Sequence, residues 1–410
     1  MASRSEQSIL HTYFGRVRDT TRLINEAQSG VQLGYRVTAI GASREGFASE
    51  PAQETINGVE AWLVPIPATL HPLQILRQLW YLLIAHVPEQ TTQVPADSNK
   101  VRSLLRVLIY NLWLLRIGQR HRPDIIHCHE IWAVPGSWLL SALTGAQFVY
   151  DIWEPDLFME TQARLLRAWQ AWSVRRADLI IITAQRLTPK VEAANARAIV
   201  HIGNWKDAAS YDPARATSTE VRRIRADLGL DRYAVVVSWI GFFFADRYPE
   251  RILDAVADMP DVCLLMAGRG DFTTTIAQRA DQHENIKWLG WLSREQVADY
   301  TLASDVIYAC VPDAPKFHYF MPNKFSEGIV SKRVLLATRN VGELADILAE
   351  HDAGYLIDAV TVDDLQRALH DLKASHLRQK LAENAYALRD RYSWQRAETL
   401  LDDVYQSLLK

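Results

Sequence analysis

Asn323, Lys324 and Glu327 place an amide, a cation and a carboxylate within five residues, in the run Pro322-Asn323-Lys324-Phe325-Ser326-Glu327-Gly328. Asn323 is of a type that caps helices, and the residues after it have a helix-like pattern. The expected arrangement is a helix mouth whose free backbone amides, together with Lys324, attract a diphosphate. Glu327, one turn on, is an acceptor-only group suited to the two hydroxyls of a ribose. His129 lies in a second run, Asp124-Ile125-Ile126-His127-Cys128-His129-Glu130, behind an apolar stretch. Asp151 and Glu154 come after a third such stretch. As neighbours on one strand, His127 and His129 are expected to face opposite sides, so no metal is assigned to them.

These residues need a scaffold, and the chain alternates short apolar runs with helical patterns. Strands are expected at 8–12, 36–40, 124–128, 147–150 and 179–182, with a first helix over 19–33 stopped by Gly34. Near-continuous aliphatic runs of this kind suit strands buried on both faces. The charged stretch 206–232, with Asp212-Pro213 and a short amphipathic helix, reads as a linker region. The rhythm then restarts, with strands expected at 234–239, 263–267, 286–289, 306–310 and 334–337. The fold class is therefore α/β, with two doubly wound Rossmann-like domains facing a cleft. The expected boundaries are 1–206, 207–388 and a last helix, 389–410, packing back on the first domain. Ligands of such sheets bind beyond the carboxyl ends of the strands. Gly15, His127, His129, Asp151, Gly241, Gly268, Gly290 and the 322–327 run all fall there.

At 410 residues the chain is too long for one core. A net charge of -3 argues against a nucleic-acid partner, whose phosphates demand a basic surface. Cys128, Cys263 and Cys310 are widely spaced and form no CxxC pair, which suits a reducing compartment. No signal peptide and no long uncharged apolar run is visible, so a cytoplasmic protein is expected. Most of the 13 tryptophans are expected in the core or in groove walls. Residues 98–123 carry six cations and no acid, with leucines at helical spacing. One reading is a helix packed on the sheet with snorkelling arginines. The other is a peripheral membrane contact through 70–122.

The run "PNKFSEG" resembles the "PNKxxE" segment of retaining glycosyltransferases of family 4, which have the GT-B fold. Segments 19–41, 122–130, 149–156, 264–271, 286–310 and 392–409 are similar to that family in the same order; residues 50–120 are not. The resemblance implies that Glu327 holds the donor ribose and that His129 lies beside the transferred sugar. It implies that Arg247 and Lys324 meet the diphosphate and the charge of the leaving group. Gly15, Gly241, Gly268, Gly270 and Asn323 would admit the donor, and Trp291 would meet its base. Arg18, Asp19, Asp151 and Glu154 are acceptor-side candidates. The chain departs from the family where Tyr319 replaces the first carboxylate of a Glu-x7-Glu pair. Phe242 and Tyr248 occupy positions usually cationic, and Trp153 replaces a histidine. The implied activity is retaining transfer from a UDP-, GDP- or ADP-sugar to a glycan or lipid-linked acceptor, with no cofactor and no metal. The alternatives are a GT-B sugar-nucleotide epimerase and a non-catalytic nucleotide-sugar-binding protein.

Overall fold

Val, Ile and Leu runs build two sheets in a computed structural model that describes residues 4–43, 51–66, 100–153, 164–319 and 321–410. The chain divides into two units. The first holds Met1–Thr183, Leu187–Ile202 and Glu398–Lys410; the second holds Ala184–Arg186 and Gly203–Ala397.

Among the described residues the first unit has eight strands. They are β1 (Ser8–Tyr13), β2 (Arg36–Ser43), β3 (Ala52–Ile56), β4 (Val59–Pro65), β5 (Ile125–Cys128), β6 (Gln147–Ile152), β7 (Leu179–Ile182) and β8 (Ile199–His201). Their order is β3-β4-β2-β1-β5-β6-β7-β8. Only β3 runs antiparallel to its neighbour. Asn57-Gly58 closes that hairpin with φ of 49° and 84°, as a twist-matched two-residue turn requires. The strand order reverses between β1 and β5, which is the switch point where doubly wound sheets take ligands. The helix Thr21–Gln32 comes after β1, and its buried face includes Arg22, Leu23, Ile24, Glu26 and Ala27. The helix Lys100–His121 buries Ile109, Tyr110, Trp113, Leu114 and Ile117. The leucines at helical spacing are not this face: Leu108 is exposed and Leu105, Leu112 and Leu115 are half-buried, and Arg116 lies over the Trp113 ring at 5.9 Å. The 70–99 part of the proposed membrane segment lies outside the described residues. From Glu398 on, the last helix, Trp394–Leu408, belongs to this unit. Ser29 Oγ donates to Glu398 at 2.9 Å and Tyr35 Oη to Asp402 at 3.1 Å.

The second unit has six parallel strands among its described residues. They are β9 (Val235–Phe242), β10 (Val262–Arg269), β11 (Ile286–Trp288), β12 (Val306–Tyr308), β13 (Val334–Thr338) and β14 (Tyr355–Ile357), ordered β11-β10-β9-β12-β13-β14. Its switch point is between β9 and β12. The charged stretch after 206 is not a linker. It contains the helix Thr219–Asp227, whose Val221 amide donates to the Ser218 side chain. Val221, Ile224 and Leu230 pack with Val236, Cys263, Leu265 and Leu302. This is the short amphipathic helix expected from the sequence, and two apolar residues three apart suffice to dock it on the sheet rather than leave it in a linker.

Candidate functional site

β9 ends at the switch point of the second sheet, and there the backbone dictates the residues. Gly241 and Gly268 are register partners at the carboxyl ends of β9 and β10, with φ of 151° and 140°. A Cβ on Gly268 would sit 1.8 Å from the Gly241 carbonyl oxygen. A Cβ on Gly270 would sit 2.3 Å from that of Phe243. Both glycines are therefore demanded by the neighbouring strand. The strand ends close up without side chains, which leaves backbone facing the switch point.

The helix Asn323–Ser331 begins opposite these glycines. Its cap position is Pro322, extended at φ -71° and ψ 148°, with no side-chain cap bond. Asn323 is therefore the first helical residue, not the cap. Proline supplies the extended entry that the sequence pattern suggested for asparagine. The first-turn amides keep the orphan character of a helix start. Gly328 lets the helix approach β13, since a Cβ there would meet Leu335 at 2.5 Å. Ser326 Oγ donates to the Tyr392 carbonyl at 2.8 Å and accepts from the Lys206 amide at 2.8 Å.

That second bond brings in a residue expected from sequence only at a domain boundary. Lys206 Nζ lies 3.5 Å from Glu327 Oε1, and Glu327 is 6% exposed. The Lys324 ammonium donates to the Ile240 carbonyl, beside Gly241. Burial lowers the Lys324 pKa to about 8; Glu327 opposes the shift, while Arg247 and Lys206 add to it. Burial likewise lowers the Arg247 pKa. Three cations and one carboxylate are thus close enough to act on one another, at one end of one sheet. Like charges held this near favour an anion among them. No sequence signal marks Lys206, because only folding brings the 203–206 segment against the helix.

Trp291 is 65% exposed, with the Arg269 guanidinium over its ring at 4.9 Å. Arg269 also lies over Phe242 at 5.3 Å, so the three form one cation–aromatic surface. Tyr319 ends a short 3-10 turn, Pro315–Tyr319. Glu343, which no sequence motif singles out, is buried, and the amides of Gln185 and Arg186 donate to it. Burial raises its pKa to about 7.

In the first unit, His129 and Asp151 come together with His11, Arg22, Glu26 and His127 at the switch point between β1 and β5. His11 and His127 are register partners. The expectation that His127 and His129 diverge is wrong: residues two apart on a strand share a face, and their rings stack with centroids 4.3 Å apart. Arg22 donates to both Asp151 oxygens, at 2.7 and 3.1 Å. Trp153 Nε1 donates to Asp151 Oδ2 at 2.8 Å. Gly15 is required by its own loop, since a Cβ would meet the Tyr13 ring at 2.4 Å. Arg18 pairs with Glu54 at 3.0 Å, and Asp19 is exposed. Neither joins the histidine group. Glu154 lies outside the described residues.

Residues 20–205 match the glycosyl transferase 4-like domain, and residues 220–388 match glycosyl transferases group 1. A comparison with curated proteins finds no match. Among solved structures, sucrose-phosphate synthase from Thermosynechococcus elongatus is similar with a TM-score of 0.74 at 15% identity, over 98% of this chain and 99% of that one. HepE of Anabaena, in complex with UDP and glucose, gives 0.70 at 15% identity, over 98% and 100%. An α,α-trehalose-phosphate synthase (UDP-forming) from Burkholderia vietnamiensis gives 0.65 at 14% identity, over 98% and 99%. At these identities the likeness is one of fold.

Proposed function

Since the chain belongs to the GT-B glycosyltransferases of the family-4-like type and is an enzyme of glycosyl transfer, we propose that its donor is a nucleotide-diphosphate sugar seated on the second unit. The observation that carries this is the Lys206, Arg247, Lys324 and Glu327 group at the switch point between β9 and β12. The diphosphate takes the three cations and the first-turn amides of the Asn323–Ser331 helix. Glu327 accepts from the ribose hydroxyls, and the Arg269–Trp291 surface meets the base. UDP is the first nucleotide to test, because HepE is in complex with UDP and the trehalose-phosphate synthase is UDP-forming.

The transfer is a same-face substitution. The bond from the anomeric carbon to the diphosphate oxygen breaks as the acceptor oxygen bonds to that carbon. The acceptor proton passes to the departing diphosphate, which leaves as the nucleoside diphosphate. Arg247, Lys324 and Lys206 stabilise the charge that builds on it, which is where fixed cations contribute most. The first unit receives the acceptor. Leu139, Leu143, Leu165 and Trp169 are exposed on two adjoining helices beside Arg164, Arg175 and Arg176. This apolar and basic surface supports a lipid-linked acceptor and a peripheral membrane contact. No helix of the described residues is long and apolar enough to cross a membrane.

Glu327→Ala and Arg247→Ala are each expected to remove most transfer from the active donor while circular dichroism stays unchanged. Full activity in either variant refutes the donor assignment. Vesicles of anionic lipid should retain the wild type more than Leu165→Glu; equal retention refutes the membrane contact.

A further inference from the structure

The histidine group of the first unit is built unlike a packing core. His11, Glu26, His127 and Asp151 are fully buried and His129 is 1% exposed. The rings of His11, His127 and His129 lie with centroids 4.3 to 5.0 Å apart. Glu26 reaches them from the helix Thr21–Gln32. Its Oε2 is 3.5 Å from His127 Nε2 and 3.6 Å from His129 Nδ1. Asp151 Oδ2 is 3.9 and 3.4 Å from the same two nitrogens. One ligand atom from each of His11, Glu26, His127 and His129 lies within 4.8 Å of the others.

Five atoms here make no hydrogen bond among the described residues: His11 Nε2, both Glu26 carboxylate oxygens, His127 Nε2 and His129 Nδ1. Buried polar atoms are ordinarily satisfied, and each one left over costs the desolvation it has suffered. Here Glu26 Oε2, His127 Nε2 and His129 Nδ1 face one another, while Glu26 Oε1 turns to Arg22 at 3.0 Å. Their neighbours accommodate the tautomers that ligation needs. His127 Nδ1 meets Tyr405 Oη at 2.9 Å, and with Nδ1–H donating, Nε2 turns a lone pair inward. His129 Nε2 meets His11 Nδ1 at 2.7 Å, and with Nε2–H donating, Nδ1 turns a lone pair inward. An imidazole that binds a metal through one nitrogen commonly donates through the other. The spacing fits as well. Ligand atoms about 2.0–2.1 Å from a tetrahedral ion stand about 3.3 Å apart, close to the four separations of 3.4 to 3.9 Å.

We propose that His127, His129, Glu26 and Asp151 bind one divalent transition-metal ion of the zinc class, with His11 accepting from His129 Nε2 and holding that ring in place. Two imidazoles with carboxylate oxygens suit such an ion better than magnesium or calcium, which prefer all-oxygen shells. Arg22, 3.0 Å from Glu26 and paired with Asp151, offsets one of the two carboxylates. The ion would tie β1, β5 and the Thr21–Gln32 helix together at the switch point.

The test uses the full chain without a histidine tag or chelator, and reads metal rather than activity. Elemental analysis should give one zinc ion per chain in the wild type. Glu26→Gln and His127→Gln should lack it, with secondary structure kept by circular dichroism. Zinc added back to chelator-treated wild type should raise its Tm. Wild type that neither carries nor takes up zinc overturns the proposal, and favours a proton shared within the group. Zinc retained equally by both variants also overturns it. Should the variants not fold, X-ray absorption of the wild type decides: nitrogen and oxygen neighbours at about 2.0–2.1 Å support the site, and sulfur neighbours refute it.

Discussion

Lys324 gives the donor site a pH signature. Its pKa is brought from 10.5 to about 8, first by burial, then by Arg247 and Lys206, against the pull of Glu327. At pH 7 roughly 90% of it is charged, and at pH 9 roughly 10%. A diphosphate seated beside it favours the charged form. If binding returns Lys324 to its ordinary value, linkage makes affinity fall about tenfold from pH 7 to pH 9. The nucleotide's terminal phosphate is fully ionised over most of this range, its second pKa being about 6. Calorimetric titration of UDP at matched ionic strength should show the fall, and Lys324→Gln should flatten it. The neighbours give internal checks. Removing the carboxylate in Glu327→Gln moves the midpoint lower, and removing a cation in Lys206→Met moves it higher. Wild-type affinity that is flat from pH 7 to 9, or a Lys324→Gln variant with the same slope, would refute the reasoning.

The strand-end glycines and Glu343 give further outcomes. Gly268→Ala should destabilise the protein by about 3 kcal/mol or more, because the new Cβ meets the Gly241 carbonyl and the backbone is in a region alanine avoids. Urea denaturation checks this, and an unchanged midpoint would contradict the backbone geometry. Glu343 holds its proton to about pH 7 when folded and to about 4.5 when unfolded. Between those values the folded state binds more protons, so this group's contribution to stability falls as pH rises. Glu343→Gln should remove about 2 kcal/mol of that decline between pH 5 and 8; a pH dependence equal to wild type in denaturation would count against it.

Much of the frame was legible because parallel strands buried on both faces leave unbroken aliphatic runs. The 179–182 run coincides with β7, and the 36–40 run falls within β2. The glycines after β9 and β10 were found as well, but for a different reason. Gly268 and Gly270 answer to the backbone of Gly241 and Phe243 before they answer to a ligand. What failed was what only folding creates. Lys206 reaches Glu327 through a segment distant in sequence. Glu26 and Arg22 belong to no motif in the sequence, yet both are buried and lie beside Asp151 and the histidines. The β3–β4 hairpin carried an Asn57-Gly58 signal that composition-level reading passed over. The His127 and His129 error was one of parity: a period of two puts such a pair on one face.

The last helix has a consequence for how the chain comes to be made. Glu398–Lys410 belongs to the first unit, although most of the second unit precedes it in synthesis. Tyr405, fully buried, bonds His127, and Asp402 receives Arg4 at 2.8 Å. A nascent chain that has emerged only as far as residue 202 therefore lacks one wall of its own core. The first unit is synthesised early but completed last, after the second has had time to form as a unit. Nonsense or frameshift lesions that remove Glu398–Lys410 should accordingly injure the first unit more than the second.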